Sequence, residues 1–134
     1  MIHYNPKDWL IFIVRIPRAD TFRKLLPLMV AVAAYAWAVH DPLARKAGLS
    51  GDVVEAIQAR RTPTFAKADE KIIYDAVTEL LNNNRVSDSA YQALIKQFGL
   101  QQAIEAVTCV GLYCMIGGVI NTFEVPTPNG EKPF

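Results

Sequence analysis

Residues 68–83 read Ala68-Asp69-Glu70-Lys71-Ile72-Ile73-Tyr74-Asp75-Ala76-Val77-Thr78-Glu79-Leu80-Leu81-Asn82-Asn83. Ile72, Ile73, Ala76, Val77, Leu80 and Leu81 recur with the helical period, while Asp69, Glu70, Lys71, Asp75 and Glu79 are polar. The spacing predicts an amphipathic helix over 68–83, ended by Asn82-Asn83-Asn84. Downstream, Ser87 and Asp88 start a second helix with the apolar stripe Tyr91, Leu94, Ile95 and Phe98, and Gly99 terminates it. The last helix runs from about Leu100 to Phe123. Beyond Ala106 apolar residues surround it, which predicts a central, fully buried helix. Pro126, Pro128, Gly130 and Pro133 leave an irregular tail.

Upstream, Thr62-Pro63-Thr64 breaks a helix that Ser50 caps over Gly51 to Arg60, with Val53, Val54 and Ile57 on one face. Pro42 fits the first turn of a helical piece from Asp41 to Ala47, and Gly48 closes it as a C-cap. Asp20 is the candidate N-cap of a helix from Thr21 to about His40, which Pro27 kinks unless it begins a second helix. Residues 1–18 mix aromatics, prolines and basic residues, with Trp9 to Ile16 a short apolar segment interrupted by Arg15. No period-2 strand pattern, internal repeat or Gly-rich phosphate loop occurs. The chain reads as all-α.

At 134 residues the default is one hydrophobic core. Fourteen Lys and Arg against thirteen Asp and Glu leave a net charge of +1, so no global field draws the protein to nucleic acid or an anionic surface. Cys109 and Cys114, five apart, fall on different sides of a helix and are poorly placed to bridge, which fits a reduced, cytoplasmic setting. Leu25 to Val39 is fifteen residues without a charge and Ala106 to Phe123 eighteen, against the roughly 20 apolar residues a spanning helix needs. The second contains Thr108, Asn121, Thr122 and three glycines, so a buried helix is favoured over a membrane hairpin built from 25–39 and 106–123. The amino terminus, with Tyr4, Asn5, Pro6 and Asp8 before the first long apolar run, does not read as a cleavable secretory signal.

Three further stretches carry a family resemblance. Ala34-Tyr35-Ala36-Trp37-Ala38-Val39-His40, followed by Asp41-Pro42-Leu43-Ala44-Arg45-Lys46-Ala47-Gly48-Leu49-Ser50, resembles the Tyr-x-Trp-x-x-His helix and following turn of carboxymuconolactone decarboxylase-like proteins. So do Arg85-Val86-Ser87-Asp88 and the run from Val110-Gly111-Leu112-Tyr113 to Asn121-Thr122-Phe123-Glu124-Val125-Pro126-Thr127-Pro128. The resemblance runs in order over residues 34–130. It implies an alkyl hydroperoxidase D-like helical bundle, truncated at its N-terminal side, that assembles into trimers or hexamers through its long helices. Residues 1–33 resemble instead the start of bacterial bestrophin-like proteins, through Tyr4-Asn5-Pro6-Lys7-Asp8-Trp9 and Ala19-Asp20-Thr21-Phe22-Arg23-Lys24-Leu25-Leu26-Pro27. Residues 131–134 are a tail.

The two activities the resemblance implies are lactone decarboxylation and, where Cys-x-x-Cys precedes the histidine, thiol-based peroxide reduction. Seven and four positions before His40 stand Ala33 and Ala36, so the thiolate and resolving thiol of the second chemistry are missing from their place. Ala36 also occupies the site, between the Tyr and the Trp, where decarboxylase-like members often carry a glutamate. An acid/base partner one turn before His40 is therefore absent.

His40 is the candidate catalytic residue, a general acid or base on a small carboxylated lactone or related ring compound; alternatively it is a helix-terminal histidine capping carbonyls. Tyr35, Trp37, Tyr113 and Asn121 are the candidate substrate-binding residues. Against that, the first two read as core or interface aromatics and Asn121 as a buried structural bracket. Cys109 and Cys114 read as buried apolar residues. Arg60-Arg61 either clamps a substrate carboxylate or is a solvated pair. No metal or cofactor is expected, the only other histidine being His3. Three functions follow as expectations: a cytoplasmic, homo-oligomeric decarboxylase-like protein of weakened activity, a non-catalytic helical oligomer of the same fold, and a membrane-associated hairpin.

Overall fold

The computed structural model describes residues 33–128 and residue 130. The expectations for Asp20, Pro27, the 9–16 segment, the bestrophin-like stretch before residue 33 and the tail at 131–134 lie outside these. Among the described residues four helices follow one another: α1 (Ala34–Lys46), α2 (Gly51–Gln58), α3 (Ala68–Asn83) and α4 (Asp88–Thr122). No strand occurs among the described residues, and the all-α expectation holds.

Helix α3 has the predicted boundaries, because Asn84 adopts the left-handed conformation (φ 53°) that stops it. Its buried face is Glu70, Ile73, Ala76 and Val77, with Ile72, Leu80 and Leu81 partly covered. Full burial of a side chain such as Ile73 or Val77 contributes roughly 1.5–3 kcal/mol. Against this face α4 places Leu94, Ala103, Ala106 and Val110. Ser87 caps α4 by accepting a hydrogen bond from the Ala90 N–H, and the Glu79 carboxylate accepts from the Ser87 N–H (2.7 Å) and Oγ (3.1 Å). The α3–α4 corner is thereby tied from both sides.

Gly99 ends the first part of α4 in backbone terms. Its φ 80°, ψ 166° is a conformation reserved almost wholly for glycine, and the helix continues on a new course from Leu100. The first helix pair, α1 and α2, encloses a second core of Trp37, Ala44, Leu49, Val53, Val54 and Ile57, with Phe65 and Tyr74 against it. Gly48 (φ 88°) makes the turn between them: its N–H donates to the Arg45 carbonyl and the Leu49 N–H to the Ala44 carbonyl. Arg60, at φ 55°, closes α2 by the same pattern, its N–H on the Ile57 carbonyl and the Arg61 N–H on that of Ala56.

Two expectations are corrected. A helix reaching His40 and a separate piece from Asp41 are in fact one helix, and upstream continuity is broken at Ala33, whose backbone is extended (φ −171°, ψ 146°). Pro42 therefore lies inside α1, at a cost of roughly 3 kcal/mol for a lost backbone hydrogen bond and ring crowding. Continuity keeps Trp37, His40 and Ala44 on one buried face, and the Arg45 Nε to Asp41 Oδ1 ion pair at 2.6 Å spans the proline. The second correction concerns α4, which is not fully buried. Ala103, Ala106, Cys109, Val110, Tyr113 and Gly117 are covered, whereas Leu100, Ile104, Val107, Met115 and Val119 are exposed. Apolar residues on every side of a helix record its composition; burial also needs a neighbour on every side, and among the described residues α4 packs with one face. Among the described residues α4 is the one helix long and apolar enough to cross a membrane.

Candidate functional site

His40 sits in the middle of α1, a full turn before its end, and is 8% exposed. The reading of it as a helix-terminal cap is therefore corrected. Its Nε2 lies 2.9 Å from the Tyr113 hydroxyl of α4, and the rings meet edge to face at 81° with centroids 5.4 Å apart. Tyr113 is itself buried. The pair joins α1 to the long helix across 73 positions of sequence.

Burial sets the electrostatics of both groups. Desolvation lowers the His40 pKa from 6.5 to about 4, so the imidazole is neutral at neutral pH. Desolvation also raises the Tyr113 phenol, with a second contribution from Cys109 one turn earlier, and keeps it protonated. The phenol is the stronger donor and the imidazole nitrogen the stronger acceptor. The Tyr113 O–H accordingly donates to Nε2, which leaves the ring proton of His40 on Nδ1.

The remaining candidates divide. Trp37 is almost fully buried in the second core, among Val53, Val54 and Ile57, and serves packing. Tyr35 is half-buried. Asn121 is exposed, two turns past Tyr113 and so roughly 12 Å along the helix, which corrects its reading as a buried bracket. Its carbonyl accepts the Glu124 N–H in the turn that closes α4. Ala33 and Ala36 are both buried in the core that contains Tyr113.

Cys109 is buried as expected, and desolvation pushes its thiol up to about 11, which leaves it an apolar residue at neutral pH. Cys114 is exposed, contrary to expectation. Among the described residues no three His, Cys, Asp or Glu side chains gather where they would hold a metal ion.

Sequence reasoning missed one charged group. Glu70, assigned to the polar side of α3, is 4% exposed. It stands three before Ile73 and seven before Val77, so the helical period already placed it on the apolar face. Its carboxylate lies 3.5 Å from Lys67 Nζ and lines a cavity that Arg61 also borders. No known family, curated protein or solved structure matches this chain.

Proposed function

We propose that the His40–Tyr113 pair is the proton-transfer centre of a carboxymuconolactone decarboxylase-like protein with an alkyl hydroperoxidase D-like fold. The observation that carries this reading is the 2.9 Å contact, which unites two residues singled out from separate stretches of sequence. Loss of carbon dioxide from a lactone carboxylate breaks a C–C bond and leaves the electron pair on the ring, where a proton must then be delivered. A neutral imidazole hydrogen-bonded to a phenol can pass that proton: the Nδ1 proton of His40 goes to the ring carbon as the Tyr113 hydroxyl proton moves onto Nε2, and water then restores the phenol. A pKa near 4 makes His40 a weak base, and Ala36 leaves it without a carboxylate one turn away, so the proposed activity is low. Peroxide reduction is not proposed, because alanines stand where its two thiols belong.

The proposed setting is cytoplasmic, with a small carboxylated ring compound as substrate and neither cofactor nor nucleic acid as partner. The proposed assembly is a homo-oligomer, a trimer or hexamer. Its support is the exposed face of α4, where Leu100, Ile104, Val107, Met115 and Val119 recur at helical spacing beside Gly111 and Gly118, around which there is open space. A second reading, a non-catalytic oligomer of the same fold, is favoured by one observation: Ala33 and Ala36 pack the core where reactive groups would stand. Assay of the purified protein on carboxylated lactones, beside His40→Ala, decides between them. Release of carbon dioxide lost with the histidine supports the enzyme, and background rates for both proteins support the scaffold.

A further inference from the structure

Among the described residues the uncovered side of α4 carries a regular seam. Leu100, Ile104, Val107, Gly111, Cys114 and Gly118 recur at alternating steps of four and three, the spacing that keeps one line of a helix facing another helix. All six are exposed, and they run beside the packed row of Ala103, Ala106, Val110, Tyr113 and Gly117. At 1.5 Å per residue the seam is roughly 27 Å long. No charge falls on it: Glu105, the one charged residue between Leu100 and Thr122, accepts a hydrogen bond from Gln101 Nε2 (3.0 Å) to one side of the seam.

The seam is graded in size, and the grading is complementary to its own reverse. Its first half is bulky, with Leu100, Ile104 and Val107; its second half is small, with Gly111, Cys114 and Gly118. The six positions lie symmetrically about residue 109, nine, five and two places to either side. Laid antiparallel on a copy of itself, the seam therefore sets every bulky side chain opposite a small residue: Leu100 on Gly118, Ile104 on Cys114 and Val107 on Gly111. A parallel copy would oppose Leu100 to Leu100 and glycine to glycine, crowding one end and leaving a gap at the other. The space beside Gly111 and Gly118 is open, with no neighbouring atom within 4 Å of where a Cβ would stand, so there is room for an incoming side chain. A lipid surface gains nothing from this grading, since the small half offers it little apolar area.

We infer that α4 pairs antiparallel with α4 of a second copy of this chain about a two-fold axis level with residue 109, the bulky half of each seam seated on the small half of the other. The pairing rests on the proposed homo-oligomer and narrows it, because a two-fold contact joins two trimers into a hexamer and does not occur within a trimer. It is independent of any chemistry at His40.

Cross-linking of the full chain through its own Cys114 tests the register. Ile104→Cys places a second thiol opposite Cys114 of the other copy, whereas within one chain the two positions are roughly 15 Å apart along the helix and cannot bridge. Mild oxidation of Ile104→Cys should give a covalent dimer whose fragments, after cleavage at Glu105, join position 104 to Cys114. The parent, and Thr108→Cys to one side of the seam, should give no such dimer. A size swap supplies the second measurement. Gly118→Leu, with a parent-like helical spectrum, should weaken association by roughly tenfold or more in light scattering after size-exclusion chromatography, and Leu100→Ala added to it should restore the parent mass. A Cys114–Cys114 bridge in the parent, a Thr108→Cys link to Cys114 as ready as that of Ile104→Cys, or a folded Gly118→Leu that Leu100→Ala does not rescue would overturn the antiparallel pairing and leave an assembling parent's oligomer standing. A parent that runs as a single chain would overturn both, and its flotation with phosphatidylcholine vesicles would assign the face to lipid instead.

Discussion

The Tyr113 hydroxyl and His40 Nε2 are hydrogen-bonded at 2.9 Å, and this bond is a polar link between α1 and α4. Both partners are buried, so removing one leaves the other without a water molecule to replace it. Tyr113→Phe keeps the ring and its edge-to-face packing while deleting the hydroxyl. It should lower unfolding free energy by about 1–3 kcal/mol in urea denaturation, with an unchanged slope. A change within error would mean that the contact is incidental.

The same burial makes the fold sensitive to acid. In the folded chain His40 protonates only near pH 4, whereas in the unfolded chain it protonates near 6.5. The unfolded state thus binds more protons between these values, and stability falls as pH drops from about 6.5 to 4, by roughly 3 kcal/mol in all. Above pH 6.5 this contribution is complete. Ring-proton resonances of His40, assigned with a His3→Gln variant, should titrate near 4; a midpoint near 6.5 would contradict the burial of the imidazole.

A second acid-sensitive link lies at the α3–α4 corner. The Glu79 carboxylate is held below its ordinary range by the backbone hydrogen bond from Ser87 and then by that from its hydroxyl. Its contribution is present above the ordinary carboxylate pKa and is lost as pH falls through the lowered value. Glu79→Gln should speed hydrogen exchange at the Ser87 and Ala90 amides near neutral pH, because the cap of α4 loosens with it. Unchanged exchange would show that the carboxylate does not hold the corner.

Much of the local structure was legible in the residues themselves. The Ile72–Leu81 pattern, the Asn82–Asn84 stop, the Ser87 cap and the Gly99 break each rest on a short-range cause, the period of a helix or the conformational reach of one residue, and each appears in the structure. Errors arose where long-range packing overrode local preference. Pro42 argued for two helices, yet the burial of Trp37, His40 and Ala44 on one face carries α1 through it. Glu70 was assigned by charge to the surface, although its spacing from Ile73 and Val77 pointed inward. The pairing of His40 with Tyr113 depends on how α1 meets α4, which no local pattern encodes.

The uncovered side of α4 gives the assembly proposal its test. Ile104 is 56% exposed in a single copy, so Ile104→Glu should leave the isolated fold intact, with a helical spectrum like that of the parent. If copies pack through this face, a carboxylate there must be desolvated on association, and light scattering after size-exclusion chromatography should show the mass falling to that of one chain. A parent that already runs as a monomer, or a variant that assembles equally well, would place any interface elsewhere.

The central claim is that His40 and Tyr113 act together on a proton, and the most direct measurement is carbon dioxide release from carboxylated lactones by the parent, His40→Ala and Tyr113→Phe at equal folded concentration. The account predicts release above background for the parent, background for His40→Ala, and a rate reduced by about tenfold to a hundredfold for Tyr113→Phe, the scale of a weakened proton transfer. Rates for the parent and His40→Ala that are equal would contradict it.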